Sequence, residues 1–285
     1  MRLGLLQYQV GRHASFATWR AALEQRIAEA AGAGAELLVL PEYAAMDAIP
    51  APLPDLAAEL AAACDRHDAV LDAMRDAAMR YRVWLVGGSM PVRRGGRVIN
   101  HAPLIAPGGQ VGFQDKHRPT RFEDELWGVT GGETPSVFAT PWGRIGLCIC
   151  YDSEFPPLAR AQVEAGAWLL LVPACTDTVA GFNRVRLAAR ARALENQCFV
   201  AVATTVGDAP WLAALDSNHG YAAVFGPVDR GFPDDGVIVR GAMDTPGWVY
   251  ADLDPARIAA VRSGGAVLNH RDYPTTPAPC RVIEL

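Results

Sequence analysis

The chain has 285 residues, 51% of them hydrophobic and 20% charged, with a formal net charge of −5. That balance fits a globular chain with a large core and excludes a disordered one. The mild acidity and lack of a basic block argue against nucleic-acid partners, and no window reaches the roughly 18 apolar residues needed to span a bilayer.

Arg2 to Tyr8 reads as a short apolar strand, and Met1 to Val10 lacks the apolar core of a signal peptide. Ala17 to Ala33 has helical periodicity, with Trp19, Leu23, Ile27 and Ala30 on one face. Glu36 to Leu40 is a buried strand stopped by Pro41. Leu53 to Arg82 is alanine-rich and predicts helix in two pieces, followed by a strand over Val83 to Gly88. Val98–Ala106 and Val111–Asp115 flank Pro107-Gly108-Gly109 as a hairpin. Val137–Thr140 and Arg144–Ile149 flank Pro141-Trp142-Gly143 as a second. Then come a helix (Leu158–Ala165), a strand (Trp168–Val172), a helix (Phe182–Asn196) and a strand (Phe199–Thr204). Tyr221–Phe225 and Trp248–Leu253 add strands, and Pro255–Val261 a short helix.

There is no linker and no internal repeat, so residues 1–285 read as a single domain with a proline-containing tail over 263–285. Alternating helices and strands with hairpins predict an α/β layered fold with a mixed sheet, and the strand number suits a two-sheet core. The six cysteines, at 64, 148, 150, 175, 198 and 280, lack metal-site spacing and read as reduced thiols of a cytoplasmic protein.

Three stretches look unlike ordinary core or surface. In the first, the strand Leu37-Leu38-Val39-Leu40 ends at Pro41 and delivers Glu42. A carboxylate beside apolar walls has a raised pKa and can move protons near neutrality, although alone Glu42 reads more readily as a solvated loop residue. The second holds Lys116, the only lysine among 26 basic residues. A chain that uses arginine at 25 of 26 basic positions and keeps one lysine points to a need for a compact ammonium, which a planar guanidinium cannot replace. The third runs from Gly143 to Pro157 and puts Cys150 between a strand and a proline-started helix. Such a turn offers unpaired backbone N–H groups and a lowered thiol pKa, while Cys148, two residues earlier, reads as a core hydrophobe.

Taken together, Pro41-Glu42, Lys116 and Ile149-Cys150-Tyr151-Asp152 resemble the Glu–Lys–Cys triad of the nitrilase superfamily of carbon–nitrogen hydrolases. Asn100 before the Gly108-Gly109 turn and Arg192-Ala193-Leu194-Glu195-Asn196 also resemble that family, and the likeness runs from about residue 2 to residue 253. The resemblance implies a four-layer α-β-β-α sandwich with two mixed β-sheets, a homodimer or larger homo-oligomer formed through a helical face, and a tail reaching over a partner subunit. It implies no metal and no organic cofactor. It further implies that Cys150 is the nucleophile, Glu42 the general base, Lys116 and the Tyr151 backbone N–H the oxyanion donors, and a glutamate after the lysine a fourth member. Glu123 is favoured for that place, with Glu125 two residues on.

Nitrile-cleaving members tend to carry Trp-Glu after the cysteine; Tyr151-Asp152 is similar to the amidase side. The implied reaction is hydrolysis of a small amide to carboxylate plus ammonia or amine through a thioester, with N-carbamoyl or nitrile hydrolysis as the alternative on the same triad. Several dicarboxylate-monoamide hydrolases place arginine where this chain has Glu154, so a neutral or amine-bearing substrate is expected if Glu154 faces it; otherwise it meets solvent or Arg160. Cys175 and Thr176, in the loop after the Trp168 strand, are the expected pocket wall. A papain-like Cys150–His pair, drawing on His101, His117, His219 or His270, is the competing reading.

Overall fold

The computed structural model describes residues 1–274 and 280–283. The chain begins with β1 (Arg2–Gln9), α1 (Phe16–Gly32), β2 (Leu37–Val39), α2 (Leu56–Tyr81) and β3 (Trp84–Val86). Next come β4 (Met90–Arg94), β5 (Arg97–Ile105), β6 (Val111–Asp115), α3 (Arg121–Glu125), β7 (Val137–Thr140) and β8 (Gly143–Leu147). They lead to α4 (Pro156–Glu164), β9 (Ala167–Ala174), α5 (Val179–Asn196) and β10 (Phe199–Val206). The rest is β11 (Ala223–Phe225), β12 (Val237–Arg240), β13 (Gly247–Asp252), α6 (Pro255–Gly264) and α7 (Asn269–Asp272).

The strands run in the order β4-β5-β3-β2-β1-β10-β9-β8-β7. The middle six are parallel and the flanking hairpins antiparallel. The two expected sheets are joined rather than separate. β1 pairs with β10 only over Gln7–Gln9 and Thr204–Val206, while its whole length from Arg2 to Gln7 pairs with β13. A join confined to strand ends lets the two halves curl over one another.

Period-two alternation then assigns each strand to two cores. Leu37 and Val39 of β2, Leu169 and Leu171 of β9, and Phe199, Ala201 and Ala203 of β10 meet in one central cluster between the sheet halves. The intervening Leu38 and Leu40 pack with Trp19, Leu23 and Ile27 of α1 and Val70 and Met74 of α2. Leu170, Val172, Val200 and Val202 pack with Val163 of α4 and Val185, Ala189 and Ala193 of α5. Helices, sheet half, sheet half, helices: this is the α-β-β-α sandwich.

Four local expectations change. α2 is one unbroken helix, because Asp55 caps it by accepting from Ala58 N and nothing inside it is glycine or proline. β4, hidden in sequence by Pro91 and two arginines, pairs with β5 across Gly95-Gly96, and β12 was also not foreseen. β9 continues through Pro173 to Ala174. Pro173 has the same parity as Leu171, which accepts from Cys148 N on the β8 side, and β8 has already turned away there, so the missing proline N–H leaves no gap. The described start of the tail packs on α4 of its own chain: Arg160 donates to His270 O at 3.0 Å and lies 4.5 Å from the Tyr273 ring centroid. Pro277 and Pro279 lie outside the described residues.

Candidate active site

Glu42 follows β2, Lys116 follows β6 and Cys150 follows β8, so three distant segments converge at strand ends. The first turn is tight. Gly88, at φ 72°, passes so close that a Cβ would stand 2.1 Å from Pro41 O, which only glycine avoids. Leu40 N donates to Val86 O and Tyr43 N to Ser89 O, which fixes Pro41-Glu42 between them.

Lys116 is 1% exposed, and its Nζ donates to Glu42 Oε1 at 2.7 Å and Glu123 Oε2 at 2.5 Å. Asn100 Nδ2 bridges the same two carboxylates, 2.9 Å from Glu42 Oε1 and 2.9 Å from Glu123 Oε1. Glu123 Oε1 also accepts from the Tyr43 hydroxyl at 2.6 Å, and its Oε2 from Thr120 N and Oγ1. Glu125 pairs instead with Arg121 on the surface, so Glu123 is the glutamate of the site. A sequence signal separates them: Thr120-x-x-Glu123 is a capping box at the start of α3.

The two carboxylates are driven apart in pKa. Burial raises Glu42, and the Lys116 ammonium only partly offsets it. Burial also works against ionised Glu123, but Lys116 and the bonds from Thr120 and Tyr43 win and hold it below the usual range. Lys116 itself is opposed by burial yet held well above its ordinary value by Glu42 and Glu123. Of the two, Glu123 is the better-stabilised charge and Glu42 the more readily protonated.

Cys150 is 4% exposed, and its Sγ lies 3.6 Å from Cys175 O. The expected lowering of its pKa is not what the surroundings give. Burial first, then the Glu42 charge, push the thiol well above its ordinary value, and Lys116 counters only weakly. The ammonium is already matched by two carboxylates, so little of its field is left for a thiolate. Cys148 is fully enclosed, bonds Gln162 Oε1 and is also raised by burial, as expected of a core thiol.

The Cys150 turn (150–154) opens at φ 48°, a left-handed residue between β8 and α4, and Tyr151 is the first residue after it. Asp152 reaches back across the site: its carboxylate accepts from His117 N and Arg118 N, at 2.8 to 3.1 Å. It therefore ties the cysteine turn to the lysine turn. Sequence reading gave no role to Asp152, Tyr43 or Thr120, since their partners lie on other segments.

Cys175 and Thr176, expected as pocket wall, are held by hydrogen bonds beside Glu42 and the His219 loop. Cys175 N donates to Glu42 Oε2 at 3.2 Å, and Thr176 exchanges two hydrogen bonds with the His219 backbone. Glu154 departs from expectation: it pairs with Arg184 of α5 at 3.4 Å, while Arg160 pairs with Glu164. The histidines of the competing reading are bonded elsewhere. His101 is held by Asp115 and Arg94, His117 by Gln114 and Gly132 O, and His219 by Asp244. His270 sits on the tail, its carbonyl bound by Arg160. A cavity of about 520 Å³ lies at His101, Phe113, Asp115, Arg94 and Arg97; His101 and Asp115 alternate with Asn100 and Lys116, so it opens on the reverse face of the hairpin from the carboxylate–lysine cluster.

Residues 2–263 match the carbon-nitrogen hydrolase family. The chain belongs to that family. Membership assigns this carbon–nitrogen hydrolase to the enzymes that cleave C–N bonds. It is 30% identical over 275 residues to the probable hydrolase YhcX of Bacillus subtilis, covering 95% of this chain but only about half (53%) of that relative's length. It is 30% identical to a deaminated glutathione amidase of Synechocystis, over 88% of this chain and 91% of that one. The omega-amidase NIT2 of Mus musculus is 28% identical, over 95% and 94%. Among solved structures, an amidase from Nesterenkonia sp. superposes with TM-score 0.74 at 25% identity, over 92% of this chain and 94% of that one. A carbon-nitrogen hydrolase of Helicobacter pylori superposes with TM-score 0.76 at 20% identity, over 92% of each chain, and so supports the fold. No helix among the described residues is long and apolar enough to cross a membrane.

Proposed function

We propose that this carbon–nitrogen hydrolase cleaves a small amide to a carboxylate plus ammonia or amine through a thioester on Cys150. The observation that carries the reading is the buried ammonium of Lys116 held between two carboxylates of opposite pKa tendency, beside a cysteine on a strained turn. Because the thiol is neutral at rest, Glu42 takes its proton as sulfur attacks the amide carbon. The tetrahedral oxyanion is met by Lys116 Nζ and the Tyr151 backbone N–H, each donor contributing about 3–4 kcal/mol. Glu42 returns the proton to the leaving nitrogen, and the C–N bond breaks. Water, deprotonated by Glu42, then attacks the thioester and releases the acid with the thiol restored. Glu123 keeps Lys116 charged and in place throughout. Each of these steps uses groups of this chain and water.

The Nesterenkonia amidase gives a parallel: one of its structures, 25% identical to this chain, carries acrylamide added to the active-site cysteine. Glu154, in the turn after Cys150, keeps 20% of its side chain exposed beside its partner Arg184; on this reading its remaining field disfavours an acidic tail, and the substrate is neutral or carries an amine, unlike an ω-amide acid. Intact-mass spectrometry with a slow amide should find an acyl adduct on Cys150; an adduct on Cys148, Cys175 or Cys198 would move the nucleophile. A panel of amides, N-carbamoyl compounds and nitriles, scored by ammonia release, should favour neutral amides. Faster turnover of α-ketoglutaramate would overturn the substrate assignment. We further propose a cytoplasmic homodimer of single-domain subunits, with the tail over 263–285. Exposed Leu187 and Leu194, two turns apart on α5, support a helical contact.

A further inference from the structure

Cys150 stands in the left-handed backbone region, at φ 48°, which a residue with a side chain holds only under restraint from its surroundings. Asp152 N donates to Ile149 O at 3.0 Å, a bond that spans Cys150 without touching it. Ser153 acts on the cysteine directly. Its side chain is fully buried, and its Oγ donates to Cys150 O at 2.7 Å. The Ser153 carbonyl in turn accepts from Arg192 Nη1 at 3.1 Å, and Arg192 Nε pairs with Glu195 at 2.7 Å. A line of contacts therefore runs from α5 to the carbonyl oxygen of Cys150.

That oxygen shares a peptide unit with the Tyr151 N–H. The unit is planar and trans, so the C=O and N–H point in opposite directions and cannot be turned independently. Whatever holds the oxygen aims the hydrogen. We infer that Ser153 is a positioning residue for the oxyanion site: by binding Cys150 O, it directs the Tyr151 N–H toward the oxygen that becomes charged. The inference rests on the Cys150 nucleophile reading above. Arg192 extends the same restraint by fixing the Ser153 backbone.

The consequence is selective. The oxyanion exists in the transition state and not in the bound amide, so loosening its donor lowers kcat and leaves KM nearly unchanged. The thiol, carried on the other side of the Cys150 Cα, keeps its reactivity in any reaction that forms no oxyanion. Methyl methanethiosulfonate provides one. The Cys150 proton passes to Glu42, sulfur attacks the methylthio sulfur, a disulfide forms and methanesulfinate leaves.

The test compares Ser153→Ala with the wild-type protein; the variant deletes one oxygen and adds no volume. Amide kcat should fall about 10- to 100-fold, somewhat less than full loss of an oxyanion donor. KM and the rate of methylthiolation at Cys150, followed by peptide mass spectrometry, should stay within about threefold. Unchanged kcat overturns the inference. So does a parallel fall of kcat and methylthiolation, which makes Ser153 a support for the thiol instead. Cys150→Ala that still hydrolyses amides overturns the nucleophile reading itself, a result separable from both.

Discussion

Lys116 joins an oddity of composition to a position in space. Its Nζ is buried and has 2.7 and 2.5 Å contacts with two carboxylates, a geometry built around a compact ammonium. Lys116→Arg should therefore fold but lose at least about 100-fold in kcat, the usual cost of one oxyanion donor. Near wild-type turnover would take Lys116 out of the reaction. Ionisation behaviour follows from the same contacts. Burial raises Glu42, and it raises Cys150 well above its ordinary value with Glu42 adding to it. Activity needs Glu42 unprotonated, so kcat/KM should fall as pH drops through that raised value. It should stay level on the alkaline side, because Lys116 is held charged well above its ordinary range. A rate profile from pH 5 to 10 checks this; a tenfold rise per unit around the thiol's ordinary range would mean that a preformed thiolate attacks. Glu42, Lys116 and Cys150 were legible from residue type and neighbours. Asn100, which bridges Glu42 and Glu123, was legible only through family resemblance, because a hydrogen bond across 58 or 23 residues leaves no local pattern.

At the scale of elements, the site depends on how turns are tied together. Asp152 accepts three contacts from the amides of His117 and Arg118, and it is the direct link between the cysteine turn and the lysine turn. Asp152→Asn replaces an acceptor oxygen with an amide NH2, a donor facing those donors. It should cost about 1.5–3 kcal/mol in thermal or urea unfolding, the range for bonds to a charged group. Unaltered stability would show that the turns stand without it. The strands themselves were readable because period-two runs of leucine and valine survive any context. β4 was not, since its Pro91, Arg93 and Arg94 lack that pattern and its pairing with β5 supplies the order. The single helix α2 shows the opposite case: local rules already permit it over 26 residues, from the Asp55 cap to left-handed Arg82.

For the whole molecule, stability rests on the central layer. Leu171 is fully buried between the sheet halves, with Leu5, Leu147 and Leu169 in the same cluster. Leu171→Ala should cost about 2–5 kcal/mol in denaturant unfolding, because a cavity there cannot collapse against a sheet on either side. The outer face of α5 should behave differently. Leu187 is 56% exposed, so Leu187→Arg should leave subunit stability within about 0.5 kcal/mol. It should nevertheless shift the proposed dimer toward monomer in analytical ultracentrifugation. An unchanged sedimentation profile would place the contact, if there is one, on another face.

The sequence by itself determined the layered α/β class and the strand–helix alternation, and it pointed to the three residues of the proposed triad. These are properties of short windows: hydrophobic period, turn residues, and a nucleophile, base and cation in fixed chain order. Only the tertiary structure decided that Glu123, which its capping-box position already set apart, meets Lys116 and that Glu154 belongs to Arg184. It also decided that burial and the Glu42 charge push the Cys150 pKa up rather than down. The physical reason is common to all three. Burial and the balance of charges at a point are sums over every segment that reaches it, and no window of the chain contains that sum.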